Sequence, residues 1–200
     1  DLVVMNALFT PLYRSPGGPN GRLQPWLAAG APAVSDDGLH YTVRLRSATW
    51  TDGRPVTAAD VVFAFNRART MSPFGTQFGA VRRVTSVGQR TVRFDLTEPV
   101  PWFPELLASN VVTPVPSAVV RKFGARWTQA GKLAVSGPFR VLSGRGRSEL
   151  ILTRNAKWWG ASGVRLTRLE LLAITQAAAS PLFRGERLDV GLRDTSVHPT

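Results

Sequence analysis

Few residues in this chain are equipped for covalent or acid–base chemistry. Cysteine is absent and histidine occurs only at His40 and His198. That excludes disulfides, thiolate nucleophiles and Cys-based zinc sites together. It also leaves little from which to assemble a metal centre or a Ser-His-Asp triad. Asp52 and Asp60 lie close together in TWTDGRPVTAAD, where they bracket a turn and a helix cap, a structural duty. Glu98 stands before Pro99, Glu105 falls inside the next helical stretch, and both read as solvated. The glycines of SGRGRS (143–148) resemble a phosphate cradle, but no helix follows them, so a hairpin turn is the simpler reading. GxSxG, HExxH, Walker A and Rossmann glycine patterns do not occur. The expectation is a protein with no catalytic residues, no metal and no cofactor.

Binding chemistry is better represented. The six tryptophans (26, 50, 102, 127, 158 and 159) pack a core by default. Aromatics beside Pro- or Gly-rich loops, such as Phe74 in MSPFGTQF and the pair Trp102-Phe103, are instead suited to line a ligand cleft. The net charge of +12 raises the question of nucleic acid. The cationic residues are 22 arginines and three lysines, scattered along the chain. A dispersed footprint of that kind reads as a solvated surface, and no nucleic acid is expected as partner.

The elements that must position these residues are legible in the local pattern. Two hundred residues suffice for one large domain or two modest ones. The longest charge-free windows, 23–35 and 106–120, are broken by prolines and are too short to span a membrane. The chain opens DLVVMNALFT, without a basic leader or cleavage site, and reads as a mature chain or an excised piece. Residues 2–14 suit a short helix or strand before the breaker SPGGPNG. Residues 23–38 form an irregular apolar connection. Tyr41, Val43 and Leu45 alternate with polar residues, which predicts a half-buried strand. Thr51-Asp52-Gly53 is a turn, and Thr57 with Asp60 makes a capping box. The helix that follows carries Val61, Val62 and Phe65 as its apolar face and ends at Ser72-Pro73. Val92, Phe94 and Leu96 mark a second strand.

Further along, 98–108 suggests a Pro-started helix, and 111–124 an extended piece followed by a helix that stops at Gly124. Residues 136–155 predict a hairpin, with Phe139 and Val141 opposite Leu150 and Leu152. Residues 166–174 predict a strand, 177–185 a helix, and 188–192 a short strand. No repeat and no regular βαβ rhythm is present, so the fold class is α/β in the mixed α+β sense.

Four stretches, in order, resemble the extracellular solute-binding proteins of family 5, the peptide and nickel binders of ABC importers. YTVRLRSATWTDGRPVTAADVVFAFNRA is similar to its signature of an aromatic-rich strand, a W-x-DG-x-P turn, T-A-x-D and an aromatic helix. LTEPVPWFPELLASNVVTPVPSAVVRKFGARWT resembles the oligopeptide-binding branch in particular. SGPFRV with ELILTRNAKWW, and LFRGERLDVG, resemble two further blocks.

The resemblance implies a clamshell of the periplasmic-binding-protein class II type, with members more than twice this length. Residues 1–22 and 134–200 would then belong to the first lobe and 23–133 to a smaller inserted subdomain, the second lobe lying outside this stretch. It implies an exported protein, periplasmic or extracellular, that delivers oligopeptides to a membrane permease. Any contact with the membrane would be through a lipid anchor outside the chain. Phe74 matches an aromatic that contacts ligand backbone. Ser109 and Asn110 occupy the place of a cleft-facing polar residue, with serine where the family pattern has histidine. The signature stretch itself lies mostly away from the cleft. A regulator with a solute-binding domain behind a helix-turn-helix is the alternative that the same resemblance allows.

Overall fold

The computed structural model describes residues 2–15, 23–71, 75–146 and 148–185. The chain begins with helix α1 (Leu2–Leu8), followed by short strands β1 (Tyr13–Arg14) and β2 (Gln24–Pro25), which pair antiparallel. A four-stranded antiparallel sheet comes next. It is built from β3 (Ala33–Val34), β4 (His40–Arg44), β5 (Val81–Ser86) and β6 (Thr91–Leu96) in the order β3-β4-β6-β5, with helix α2 (Ala58–Met71) between β4 and β5. Helices α3 (Phe103–Leu106) and α4 (Ser117–Phe123) follow. A three-stranded meander then forms from β7 (Phe139–Arg145), β8 (Glu149–Arg154) and β9 (Arg168–Leu172), and α5 (Gln176–Arg184) closes the described chain. Among the described residues no helix is long and apolar enough to cross a membrane.

The alternation read in the sequence decides which side of the larger sheet is covered. Tyr41, Val43 and Leu45 are buried, as are Val92, Phe94 and Leu96, and the register sets Tyr41 opposite Phe94 and Val43 opposite Val92. Helix α2 lies against β5 and β6. Its Phe65 meets Phe94 and Phe78 edge-on, with ring centroids 5.5 and 5.0 Å away. Each such ring contributes about 2–3 kcal/mol of apolar burial. Val61 and Phe65 of α2 are buried, and Val62 at the edge of that face is half-buried, packing against the core while also lining a surface concavity.

The capping box forms. The Thr57 amide donates to Asp60 Oδ2 at 3.0 Å, and the Asp60 amide reaches Thr57 Oγ1 at 3.4 Å. The same carboxylate takes three further donors from remote segments. These are Trp50 Nε1 at 3.4 Å, and the amide and hydroxyl of Ser117 at 3.0 and 2.6 Å. Asp60 therefore joins α2 to the turn before it and to the start of α4, a role its local sequence does not disclose. Gly53 holds the preceding turn at φ +88°, where a Cβ is disfavoured. Asp52 receives the Arg54 amide and guanidinium there. Burial works to raise its pKa, but those Arg54 bonds outweigh it and hold the carboxyl below its ordinary range.

The segment SGPF ties α1 and the residues after it to the start of β7. The amides of Ser136 and Gly137 donate to the Leu8 carbonyl at 3.2 and 2.8 Å, and the Thr10 hydroxyl donates to the Ser136 carbonyl at 2.7 Å. Gly137 lies so near α1 that a Cβ would fall 2.6 Å from the Ala7 oxygen and the Leu8 carbon. Buried Asn155 locks the other side, its Nδ2 donating to the Gly137 carbonyl at 2.9 Å and its amide to that of Pro138 at 2.8 Å. Beyond it, Trp158 and Trp159 pack with Trp26 at 4.7–5.8 Å between centroids, capped by the guanidiniums of Arg14 and Arg46 at 4.2 and 3.8 Å. These tryptophans serve packing.

Three expectations need adjustment. The stretch 98–108 gives only four helical residues: Pro101 and Trp102 sit in a turn closed by the Phe103 amide on the Val100 carbonyl, and the helix begins at Phe103. The hairpin forms, but a bulge between Val141 and Ser143 sets Val141 opposite Leu152, Phe139 opposite Arg154 and Leu150 opposite Gly144. The irregular 23–38 connection contains the two short strands β2 and β3. The predicted strand at 188–192 and the helix end at Ser72-Pro73 lie outside the described residues.

Candidate functional site

The segment carrying Ser109 and Asn110 is held from beneath. After β6, Val100 is buried, and its carbonyl accepts the Tyr41 hydroxyl at 3.1 Å and the Phe103 amide at 2.9 Å. Phe103 is buried against Tyr41 and Phe94, at centroid distances of 4.9 and 5.4 Å, and Leu107 is fully buried one turn on. Helical bonding continues past α3, with Leu107 N on the Phe103 carbonyl, Ala108 N on Glu105 and Ser109 N on Leu106. With Phe103 and Leu107 turned inward, Trp102, Glu105 and Ser109 are left outward.

Ser109 is half-buried and caps a single 3-10 turn, Asn110–Val112, by accepting the Val111 amide on Oγ at 3.3 Å. The Asn110 carbonyl accepts the Thr113 amide at 3.3 Å, and this turn packs against α2. The serine hydroxyl therefore serves its own turn as acceptor and retains a hydrogen to donate. Phe74 lies outside the described residues, so the structure brings together Ser109 and Asn110 but carries no geometry for the third expected ligand residue.

A concavity that does not include Ser109 or Asn110 lies along α2. It has a volume of about 610 Å³ and includes Ala59, Val62, Phe63, Asn66, Arg67 and Arg121 among its lining. The Arg121 guanidinium stands 5.0 Å from the Phe63 ring centroid. The signal for it in the sequence is a second stripe at 59, 62, 63 and 66, hidden beside the stronger inward stripe.

The titratable groups are arranged for structure. On the larger sheet Asp95 takes His40 Nδ1 and Arg93 Nε, each at 2.7 Å. Desolvation tends to raise its pKa, but the hydrogen bonds from Arg93 and His40 outweigh it and hold the carboxyl below its usual range. Burial pushes the Tyr13 hydroxyl up, and it donates to the Gly30 carbonyl at 3.2 Å. Among the described residues no three His, Asp or Glu side chains converge on a point that would hold a metal ion.

The chain shares this architecture with known binding proteins. It is 30% identical over 170 residues to the periplasmic oligopeptide-binding protein OppA of Escherichia coli, covering 72% of this chain and 31% of that protein. It is 31% identical over 175 residues to the probable deoxycholate-binding periplasmic protein YgiS of the same organism, covering 77% of this chain and 32% of that one. The crystal structure of the OppAIV oligopeptide-binding protein of Borrelia burgdorferi superposes with a TM-score of 0.83 at 26% identity, over 94% of this chain and 42% of its own. The chain thus spans about a third of the length of the curated relatives it matches. The family profile described as bacterial extracellular solute-binding proteins, family 5 Middle, matches residues 22–196. The chain belongs to the bacterial extracellular solute-binding proteins of family 5.

Proposed function

We propose that this chain is part of the substrate-binding component of an ABC importer, one that captures oligopeptides outside the cytoplasmic membrane and delivers them to a permease. The observation that carries the reading is the 30% identity to an oligopeptide-binding OppA over 170 residues, joined to a fold shared with OppAIV over nearly the whole chain. Family members are binding proteins, and the role proposed here is likewise capture without turnover. Residues 1–22 and 134–200 would form part of the first lobe and 23–133 an inserted subdomain. Phe74, Ser109 and Asn110 would face the ligand. An extended peptide suits such a surface because its main chain supplies regular donors and acceptors, while hydrated pockets tolerate varied side chains. Closure of two lobes about a hinge would then bury the peptide and present one shape to the permease. The protein is exported in this reading, with any lipid anchor outside this stretch.

The test is native mass spectrometry of the protein as its gene encodes it, purified without denaturation. Co-purifying masses that fragment as peptides support the reading. A bile acid, a sugar or a nickel chelate in their place would remove it.

A further inference from the structure

We infer that Trp102 and Glu105 form a subsite for a cationic side chain, lysine or arginine, of a bound peptide. This rests on the reading of Ser109 and Asn110 as ligand-facing and deepens it. Trp102 is 62% exposed, the most exposed aromatic among the described residues. The other five tryptophans have roles. Trp50 is buried and donates to Asp60, Trp127 meets Phe9 at 6.0 Å, and the remaining three pack together under Arg14 and Arg46. Trp102 has no ring or cation partner among the described residues.

Its orientation follows from the residues beneath it. Phe103 and Leu107 are 1% and 0% exposed. At about 100° per residue, Trp102, Glu105 and Ser109 fall within an arc of about 60° on the opposite side. The Glu105 amide bonds the Trp102 carbonyl at 3.1 Å, so the two residues lie one turn apart. Glu105 is exposed and, like exposed Asp36, Asp37 and Glu98, forms no ion pair among the described residues. An open indole with an uncompensated carboxylate beside it complements one chemistry, a cation seated on the ring with its charge toward the acid. In a chain of net charge +12 this local negative feature runs against the overall field, which would otherwise repel such a ligand. Trp102 to Ser109 spans about 10 Å along the helical rise, close to three residues of an extended peptide.

The experiment titrates the protein as its gene encodes it, with ¹⁵N-labelled indoles, against Ala-Lys-Ala, Ala-norleucine-Ala and Ala-Glu-Ala by NMR. W102L identifies the Trp102 cross-peak by its loss. The lysine peptide should move that peak and bind about five-fold more tightly than the norleucine one, the size of a cation–π contact with a nearby carboxylate. E105Q should bring that ratio below about two-fold. Equal affinity for the lysine and norleucine peptides would overturn the subsite and leave the peptide reading standing. A lysine preference that survives in both W102L and E105Q would also overturn it. No perturbation by any of the three peptides at millimolar concentration would remove peptide binding by this chain, and the subsite with it.

Discussion

At the scale of single residues, Asp60 shows how much one side chain can be underestimated. Read locally, it completes a capping box worth about 1 kcal/mol. In the structure it is buried and also accepts Trp50 Nε1 and both donors of Ser117. The two roles separate by mutation. Thr57→Ala should cost about 1 kcal/mol in urea denaturation. Asp60→Asn, which leaves buried donors facing an amide, should cost about 2–4 kcal/mol. Equal losses in the two variants would show that the Ser117 and Trp50 bonds add nothing.

Asp95 makes a different prediction. Its folded carboxyl is held below the ordinary range, so its contribution is present above the unfolded pKa of about 4 and is lost as pH falls below that. Wild type should therefore exceed Asp95→Asn in urea midpoint at neutral pH, and the gap should shrink between about pH 4 and pH 2. A gap that stays constant across that window would contradict the ion-pair origin.

At the scale of elements, the SGPF link decides how α1 meets β7. A Cβ on Gly137 would lie 2.6 Å from the backbone of Ala7 and Leu8, and backbone cannot rotate away as a side-chain tip can. Gly137→Ala should lower stability by about 3 kcal/mol, at the upper end of overpacking costs. Gly163→Ala, with nothing within 4 Å of the added carbon, should stay within about 0.5 kcal/mol of wild type. Thermal denaturation of the two variants side by side checks both. The same principle explains the short α3. The turn at Pro101 and Trp102 delivers Phe103 into the aromatic row of Tyr41, Phe94, Phe65 and Phe78, and that burial sets the outward face on which Trp102 stands.

At the scale of the whole molecule, the chain matches 31% of the length of one oligopeptide-binding relative and 42% of one solved structure. In the two-lobed reading proposed above, a ligand would lose much of its contact area on a stretch that supplies one lobe. Calorimetry on these 200 residues should accordingly find oligopeptide affinities weaker than micromolar, equivalent to less than about 8 kcal/mol of binding. Micromolar or tighter binding would show that the described face suffices.

Much of the fold was legible in the chain itself. The strand at 40–44, the Gly53 turn, the Thr57 cap, the helix stop at Gly124 and the 139–154 hairpin each depend on residues a few positions apart, and such constraints are written into residue type. The order of four such segments was also enough to indicate the family. Tertiary structure alone decided that Asp60 bonds Ser117, that Gly137 touches α1, and that Trp102 faces outward. It also decided that Ser109 spends its oxygen on its own turn. Those outcomes depend on which distant backbone arrives at a given face, and packing of the whole core settles that, whereas the local pattern records only what each segment can do.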